Sequence, residues 1–198
     1  VRPCGQQSDC QNCDAPELPG YPPYWNSSPY GGEKPTSEEI RDVHHWGAAM
    51  MNPDMKKRID PFVYDQLGAK FVSEYGYIGP WSLETIRDYF DGRPIDRDSE
   101  IWKLHNNNFE KDTVLAGIRK HYPLDTAVLS LEDYILYAGA VHELILGYSL
   151  VAIRFKEQCH GALFWMCNDT WGEVGWTIVD YYLRRKTGFY GVKRAFAP

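Results

Sequence analysis

The segment Phe71-Val72-Ser73-Glu74-Tyr75-Gly76-Tyr77 places one carboxylate directly after a short apolar run. A glutamate at the C-terminal end of a buried strand sits where βα barrels keep their reactive groups, and there it can serve as a nucleophile. An ion-paired glutamate fits the same spacing. A second segment, Trp165-Met166-Cys167-Asn168-Asp169-Thr170-Trp171, brackets an amide and a carboxylate with two indoles. That combination suits a sugar, which offers apolar ring faces to aromatic surfaces and hydroxyls to polar groups. Metal chemistry has less support. Cys10 and Cys13 have the spacing of half a zinc site, but Cys159, His160 and Cys167 do not repeat it. A redox role for Cys10 and Cys13 would need a βαβ setting, whereas the chain runs on into Asp14-Ala15-Pro16. No metal or cofactor is expected.

Both segments need strands to aim them. Three short apolar runs read as buried strands: Asp42 to Trp46, Ala69 to Ser73 and Gly161 to Cys167. Between them lie helical patterns. Ser82 is an N-cap for a helix carrying Thr85, Ile86, Tyr89 and Phe90 on one face, and Gly92 and Pro94 stop it. A second helix runs through Val114, Leu115, Ile118 and Arg119 toward Pro123. A longer one is expected from Leu131 to Gln158, capped by Ser130 with Asp133 three residues on, its apolar face made by Tyr134, Tyr137, Val141, Leu144, Tyr148, Val151 and Phe155.

Strands alternating with helices predict an α/β fold built from parallel βα units. A closed eight-stranded barrel takes about 250 residues, and only three or four strands can be placed here. The expected architecture is therefore the C-terminal half of a (β/α)8 TIM barrel, completed by another chain or by a missing N-terminal segment, since an open half exposes unpaired sheet edges. Residues 1–35 read as a Cys- and Pro-rich irregular segment with a candidate first strand at Val1-Arg2-Pro3, and 36–198 as the barrel half. The start, Val1 rather than Met and without the pattern of a signal peptide, reads as cut.

Composition narrows the partners. Of 198 residues, 21 are Lys or Arg and 27 Asp or Glu, giving a net charge of −6 with no basic cluster, so nucleic acid is a poor partner. The most apolar stretch, Tyr134 to Phe155, contains His142, Glu143 and Arg154, which argues against a membrane span. With five cysteines, an odd number, the chain cannot pair them all internally. Sequons at Asn26 and Asn168 would suit an extracellular, vacuolar or lysosomal location without fixing one.

The runs FVSEYGY, PWSLETI, GALFWMCNDTW, WTIVDYY and YGVKRAFAP occur in an order that resembles the second half of the catalytic barrel of glycoside hydrolase family 2, on its β-mannosidase-like branch. Asp42-Val43-His44-His45-Trp46-Gly47 resembles the family's stretch before the nucleophile strand, and Trp25 to Pro29 the loop preceding that. The resemblance covers about Tyr24 to Pro198. It implies a retaining glycosidase in which Glu74 is the nucleophile and Trp165 the apolar floor of the sugar site. Trp46 and Trp171 become its walls, and His44, Asn168 and Asp169 its hydroxyl partners. Tyr75 and Tyr77 are expected to hydrogen-bond Glu74.

A retaining glycosidase needs a second carboxyl group, about 5–5.5 Å from the first, to protonate the leaving oxygen. In this family it follows an asparagine on an earlier strand, and the chain contains no Asn-Glu pair. Asp9, Glu33 and Glu173 lack a matching motif. The resemblance thus implies a partner, the N-terminal portion of the same enzyme, carrying the acid/base glutamate. A carbohydrate substrate, most simply a β-mannoside, goes with it. Exo-β-glucosaminidase, β-galactosidase-type and endo-β-mannosidase activities stay open, as does a catalytically incomplete carbohydrate-binding or structural fragment.

Overall fold

The computed structural model describes residues 27–29, 33–34, 36–38 and 42–198. Most of the segment 1–35 therefore lies outside the described residues. This covers the candidate first strand, Trp25, the Asn26 sequon, Cys4, Cys10 and Cys13.

Two strands pair in parallel, β1 (Asp42–His44) and β2 (Phe71–Glu74). Asp42 is opposite Phe71, Val43 opposite Val72 and His44 opposite Glu74, with an irregularity between Val43 and His44. A third segment runs along the other side of β2. His160 donates its N–H to Lys70 O at 2.8 Å, Val72 to Gly161 O at 3.0 Å, Leu163 to Val72 O at 2.8 Å and Trp165 to Tyr75 O at 2.6 Å. Val72 and Ala162 form a parallel bridge. The order in space is therefore β1, β2, third segment, with β2 in the middle and Val72 fully buried.

The expectation of a buried strand over Gly161 to Cys167 needs correction. Only the bridge at Ala162 is regular, and the segment is partly open, with Leu163 59% exposed and Trp165 44%. Its first half bonds to Lys70 and to Val72 of β2, and its end, Met166 and Cys167, bonds to the returning chain at Trp176, Ile178 and Val179.

The crossover from β1 to β2 carries α1 (Met55–Arg58) and a 3-10 turn, Pro61–Gln66. The longer crossover carries α2 (Leu83–Phe90), α3 (Glu100–Leu104), α4 (Leu115–His121) and α5 (Leu131–Arg154), with α6 (Thr187–Ala195) near the end of the chain. Helix α2 starts as its sequence dictates. Ser82 Oγ accepts from Thr85 N at 3.2 Å, Thr85, Ile86 and Phe90 are buried, and the helix ends at Asp91, in the left-handed region at φ 46°. A π-helical turn, Glu110–Val114, leads into α4.

Helix α5 is capped by Ser130, whose hydroxyl accepts from Asp133 N at 3.0 Å. It stops at Arg154, short of Gln158, where the guanidinium donates to Ala195 O at 3.0 Å, at the end of α6, and to Ala197 O at 2.7 Å just past it. Its buried face is Tyr134, Ala138, Val141, His142, Ile145, Leu146, Ser149, Leu150 and Ile153. Leu144, Val151 and Phe155 of the expected face are exposed, Phe155 by 83%. Apolar residues line the helix on nearly every side, so periodicity alone could not choose between neighbouring stripes. Among the described residues α5 is the one helix long and apolar enough to cross a membrane. Here it packs along α6 and against the 3-10 turn and α4, contributing much of the core.

Candidate active site

The C-terminal ends of β1 and β2 converge on Glu74. His45 N–H donates to Glu74 O at 2.7 Å, which fixes the two strand ends together. Asp42 and His44 are two apart on β1, the spacing at which an extended chain returns to the same side, and Trp46 follows in a turn, its N–H donating to His44 O at 3.0 Å. The indole N–H of Trp46 donates to Glu74 Oε1 at 2.7 Å, and His44 Nδ1 is 3.7 Å from the same oxygen. On the far side of the imidazole, His44 Nε2 is 3.5 Å from Ser28 Oγ, which donates to Asp42 Oδ2 at 2.8 Å. Glu74 keeps 29% of its side chain exposed, so its carboxylate is held but still reachable.

Trp165 is brought to the same end by its backbone bond to Tyr75 O. Close approach here demands Gly76, because a Cβ would fall 2.2 Å from Trp165 O and 3.2 Å from the Trp46 ring. Trp46 in turn meets Trp176 edge-on, with centroids 5.1 Å apart. The segment after Trp165 is fastened to the returning chain by Met166 N to Trp176 O at 3.1 Å, Ile178 N to Met166 O at 3.3 Å and Asp169 N to Val179 O at 3.2 Å.

Below this double-backed segment lies a buried polar seat. Lys186 Nζ donates to Gly175 O at 3.1 Å and to Thr177 Oγ1 at 3.4 Å. Burial pulls the Lys186 ammonium down to about 8, against the opposing pull of Asp169, Glu173 and Asp180. Burial likewise pushes the Asp169 carboxyl up to about 6, with Lys186 and Thr177 holding it back. Asp180 is fully buried, accepting from Thr85 Oγ1 at 2.5 Å, Tyr182 N at 3.0 Å and Arg184 N at 2.8 Å.

The structure thus brings together four of the residues picked from sequence: Glu74, Trp46, His44 and Trp165. The others lie elsewhere. Tyr75 follows Glu74 and, by strand alternation, points the opposite way. It is buried against α5, where its hydroxyl meets Ser149 Oγ at 3.3 Å. The Tyr77 hydroxyl ends against Gly117 of α4 with no hydrogen-bond partner. Burial raises both phenols far above their ordinary range, and neither serves Glu74 in the way expected. Asp169 is buried, its carboxylate oxygens inaccessible, which corrects its assignment as a sugar partner. Asn168 is exposed and bridges to Val179. Trp171 stacks on His105.

Ser28, Asp42, Trp176 and Lys186 were not picked from the sequence. The spacing of Asp42 and His44 on one side of a strand is a readable signal; the contacts of Trp176 and Lys186 depend on long-range folding. Among the described residues no group of three or more His, Cys, Asp or Glu is placed to hold a metal. Cys159 and Cys167 are free thiols. A cavity of about 360 Å³, lined by Arg154, Cys159, His160 and Phe196 among others, lies at the start of the third segment, the opposite end from Glu74.

β-Mannosidase B of Aspergillus clavatus is 30% identical over 180 residues, which make up 88% of this chain and 21% of that protein. The Aspergillus terreus β-mannosidase B is 31% identical over 182 residues, with the same coverage. The crystal structure of a β-D-mannosidase from Dictyoglomus thermophilum superposes on 88% of the chain with a TM-score of 0.71 at 31% identity. The chain is a relative of β-mannosidases. It spans about a fifth of the length of these β-mannosidases, 21% in each case. No family profile matches it.

Proposed function

We propose that residues 36–198 are the C-terminal half of the (β/α)8 catalytic barrel of a retaining glycosidase of glycoside hydrolase family 2. Its substrates are β-linked hexosides, β-mannosides first among them, and Glu74 is its nucleophile. The observation that carries this reading is the hydrogen bond from Trp46 to Glu74 at a parallel strand end, beside a half-exposed Trp165. The β-mannosidase relatives and their much greater length support it.

A carboxylate beneath an anomeric carbon stabilises the oxocarbenium-like transition state and then bonds to it. Trp46 occupies Oε1, so Oε2 is the attacking atom. The C1–O bond to the leaving group breaks as the Oε2–C1 bond forms, and the acid/base glutamate gives its proton to the departing oxygen. That glutamate comes from the N-terminal portion of the same enzyme, which supplies the remaining strands. Water, deprotonated by the same residue, then attacks C1 from the opposite side and frees Glu74. The indole N–H holds the carboxylate in place for attack, and Trp165 offers its ring to the sugar's apolar face.

Glu74→Gln in the full-length protein tests this. Turnover of β-mannosides should vanish while sugar binding survives; unaltered hydrolysis would sink the assignment. Binding with no turnover in the wild type would favour a sugar-holding module instead.

A further inference from the structure

Lysine is rarely buried without a charged partner beside it, yet Lys186 is 2% exposed and directs its ammonium at two neutral oxygens. Nζ donates to Gly175 O at 3.1 Å and to Thr177 Oγ1 at 3.4 Å. Asp169, Glu173 and Asp180 attract it through space. Burying an ammonium costs hydration that neutral acceptors return in part, so space filling alone does not account for a lysine here.

The two acceptors flank Trp176 in sequence. Backbone bonds pin the same tripeptide on both edges: Gly79 N donates to Gly175 O at 3.0 Å and Gly175 N to Gly79 O at 3.2 Å, while Met166 N donates to Trp176 O at 3.1 Å. Lys186 is itself anchored, its N–H donating to Ile178 O at 2.9 Å. The Trp176 ring lies edge-on to Phe109 at 5.8 Å and to Trp46 at 5.1 Å. Trp46 then donates to Glu74 Oε1 at 2.7 Å. Contacts thus run unbroken from Nζ through Trp176 and Trp46 to the carboxylate. Lys186, Thr177 and Trp176 are all buried by the described residues themselves. An edge-on pair fixes angle as well as distance, so a tilt of Trp176 passes to the Trp46 indole. A misplacement of about 1 Å at a reacting group can cost about 100-fold in rate.

We propose that Lys186 is a positioning residue: by gripping the chain on both sides of Trp176 it sets the Trp46 indole on Glu74 and so aims the nucleophile. This rests on the glycosidase reading of Glu74 and extends it to a residue that does not touch the carboxylate.

The test is a double-mutant cycle of Lys186→Met and Trp46→Phe in the full-length protein, with kcat and KM measured on p-nitrophenyl β-mannoside at a temperature where thermal melts show every variant folded. Lys186→Met alone should lower kcat about tenfold and change KM less than about twofold. In the Trp46→Phe background the same substitution should lower kcat less than about twofold, because the bond it serves is already gone. Thr177→Val, which removes one acceptor and keeps the ammonium, should show part of the loss, and Thr177→Ser should recover it. Equal losses in both backgrounds, a change confined to KM, or no loss at all overturns the proposal. A second readout needs no turnover: the Trp46 indole N–H in the 1H–15N spectrum of tryptophan-labelled protein, assigned by its absence in Trp46→Phe. Lys186→Met should shift or broaden that resonance, and an unmoved resonance overturns the proposal. If wild-type protein hydrolyses no β-mannoside, the reaction assignment falls and the Trp46 resonance alone decides the role of Lys186.

Discussion

Trp46 Nε1 and Glu74 Oε1 are 2.7 Å apart, a charge-assisted hydrogen bond that joins the ends of two neighbouring parallel strands. It orients the carboxylate and leaves Oε2 without a donor from this indole.

Removing that donor should slow the reaction without unfolding the protein. Trp46→Phe keeps a ring against Trp176 but deletes the N–H. By analogy with the loss of one preorganised donor, kcat/KM for β-mannosides in the full-length enzyme should fall roughly 100-fold. Melting temperature should change little. Steady-state kinetics together with a thermal melt decide the matter, and near-normal kcat/KM would remove Trp46 from the site.

Tyr75 and Tyr77 give the opposite expectation. Ser149 Oγ donates to Leu146 O at 2.7 Å, which leaves the Tyr75 hydroxyl to donate to Ser149. Tyr75→Phe should therefore cost about 1 kcal/mol of stability and leave kcat/KM intact. The Tyr77 hydroxyl is buried without a partner, so Tyr77→Phe should be neutral or stabilising. Denaturant titrations and kinetics on both variants check this.

Lys186 should show a pH-dependent role. Asp169 has its folded pKa raised to about 6, so its ionisation opposes folding increasingly as pH rises from its unfolded value through that point. Lys186→Met removes a cation that tempers this cost, and two donated hydrogen bonds. The variant should lose roughly 2 kcal/mol at pH 7, about 1 for each hydrogen bond removed, with the charge term present there because Asp169 and Lys186 are both ionised. The deficit should shrink toward pH 5, where Asp169 is protonated in the fold. Unfolding curves at the two pH values measure the difference; a deficit independent of pH would mean Asp169 does not feel Lys186.

Much of the architecture was readable because local chemistry specified it. Ser82 and Ser130 cap the helices their positions announce, and Phe71 to Glu74 is a strand with its carboxylate at the end. Orientation was harder. Helix α5 carries apolar residues on several stripes; α6 packs over Gly139, His142, Glu143 and Gly147, while Ser149 faces Tyr75. Tyr75 could be placed by strand alternation alone, which puts it opposite Glu74. Burial of Asp169 follows from the return of the chain through Val179 and Lys186, a long-range event that no spacing encodes. The column of Trp171, His105 and Tyr89 likewise joins three distant segments.

The most direct measurement is covalent capture. Full-length protein treated with 2-deoxy-2-fluoro-β-mannosyl fluoride should accumulate a glycosyl-enzyme, and mass spectrometry of its peptides should find the added fluorosugar on Glu74. A label on another carboxylate, or turnover of β-mannosides with none on Glu74, would contradict the account.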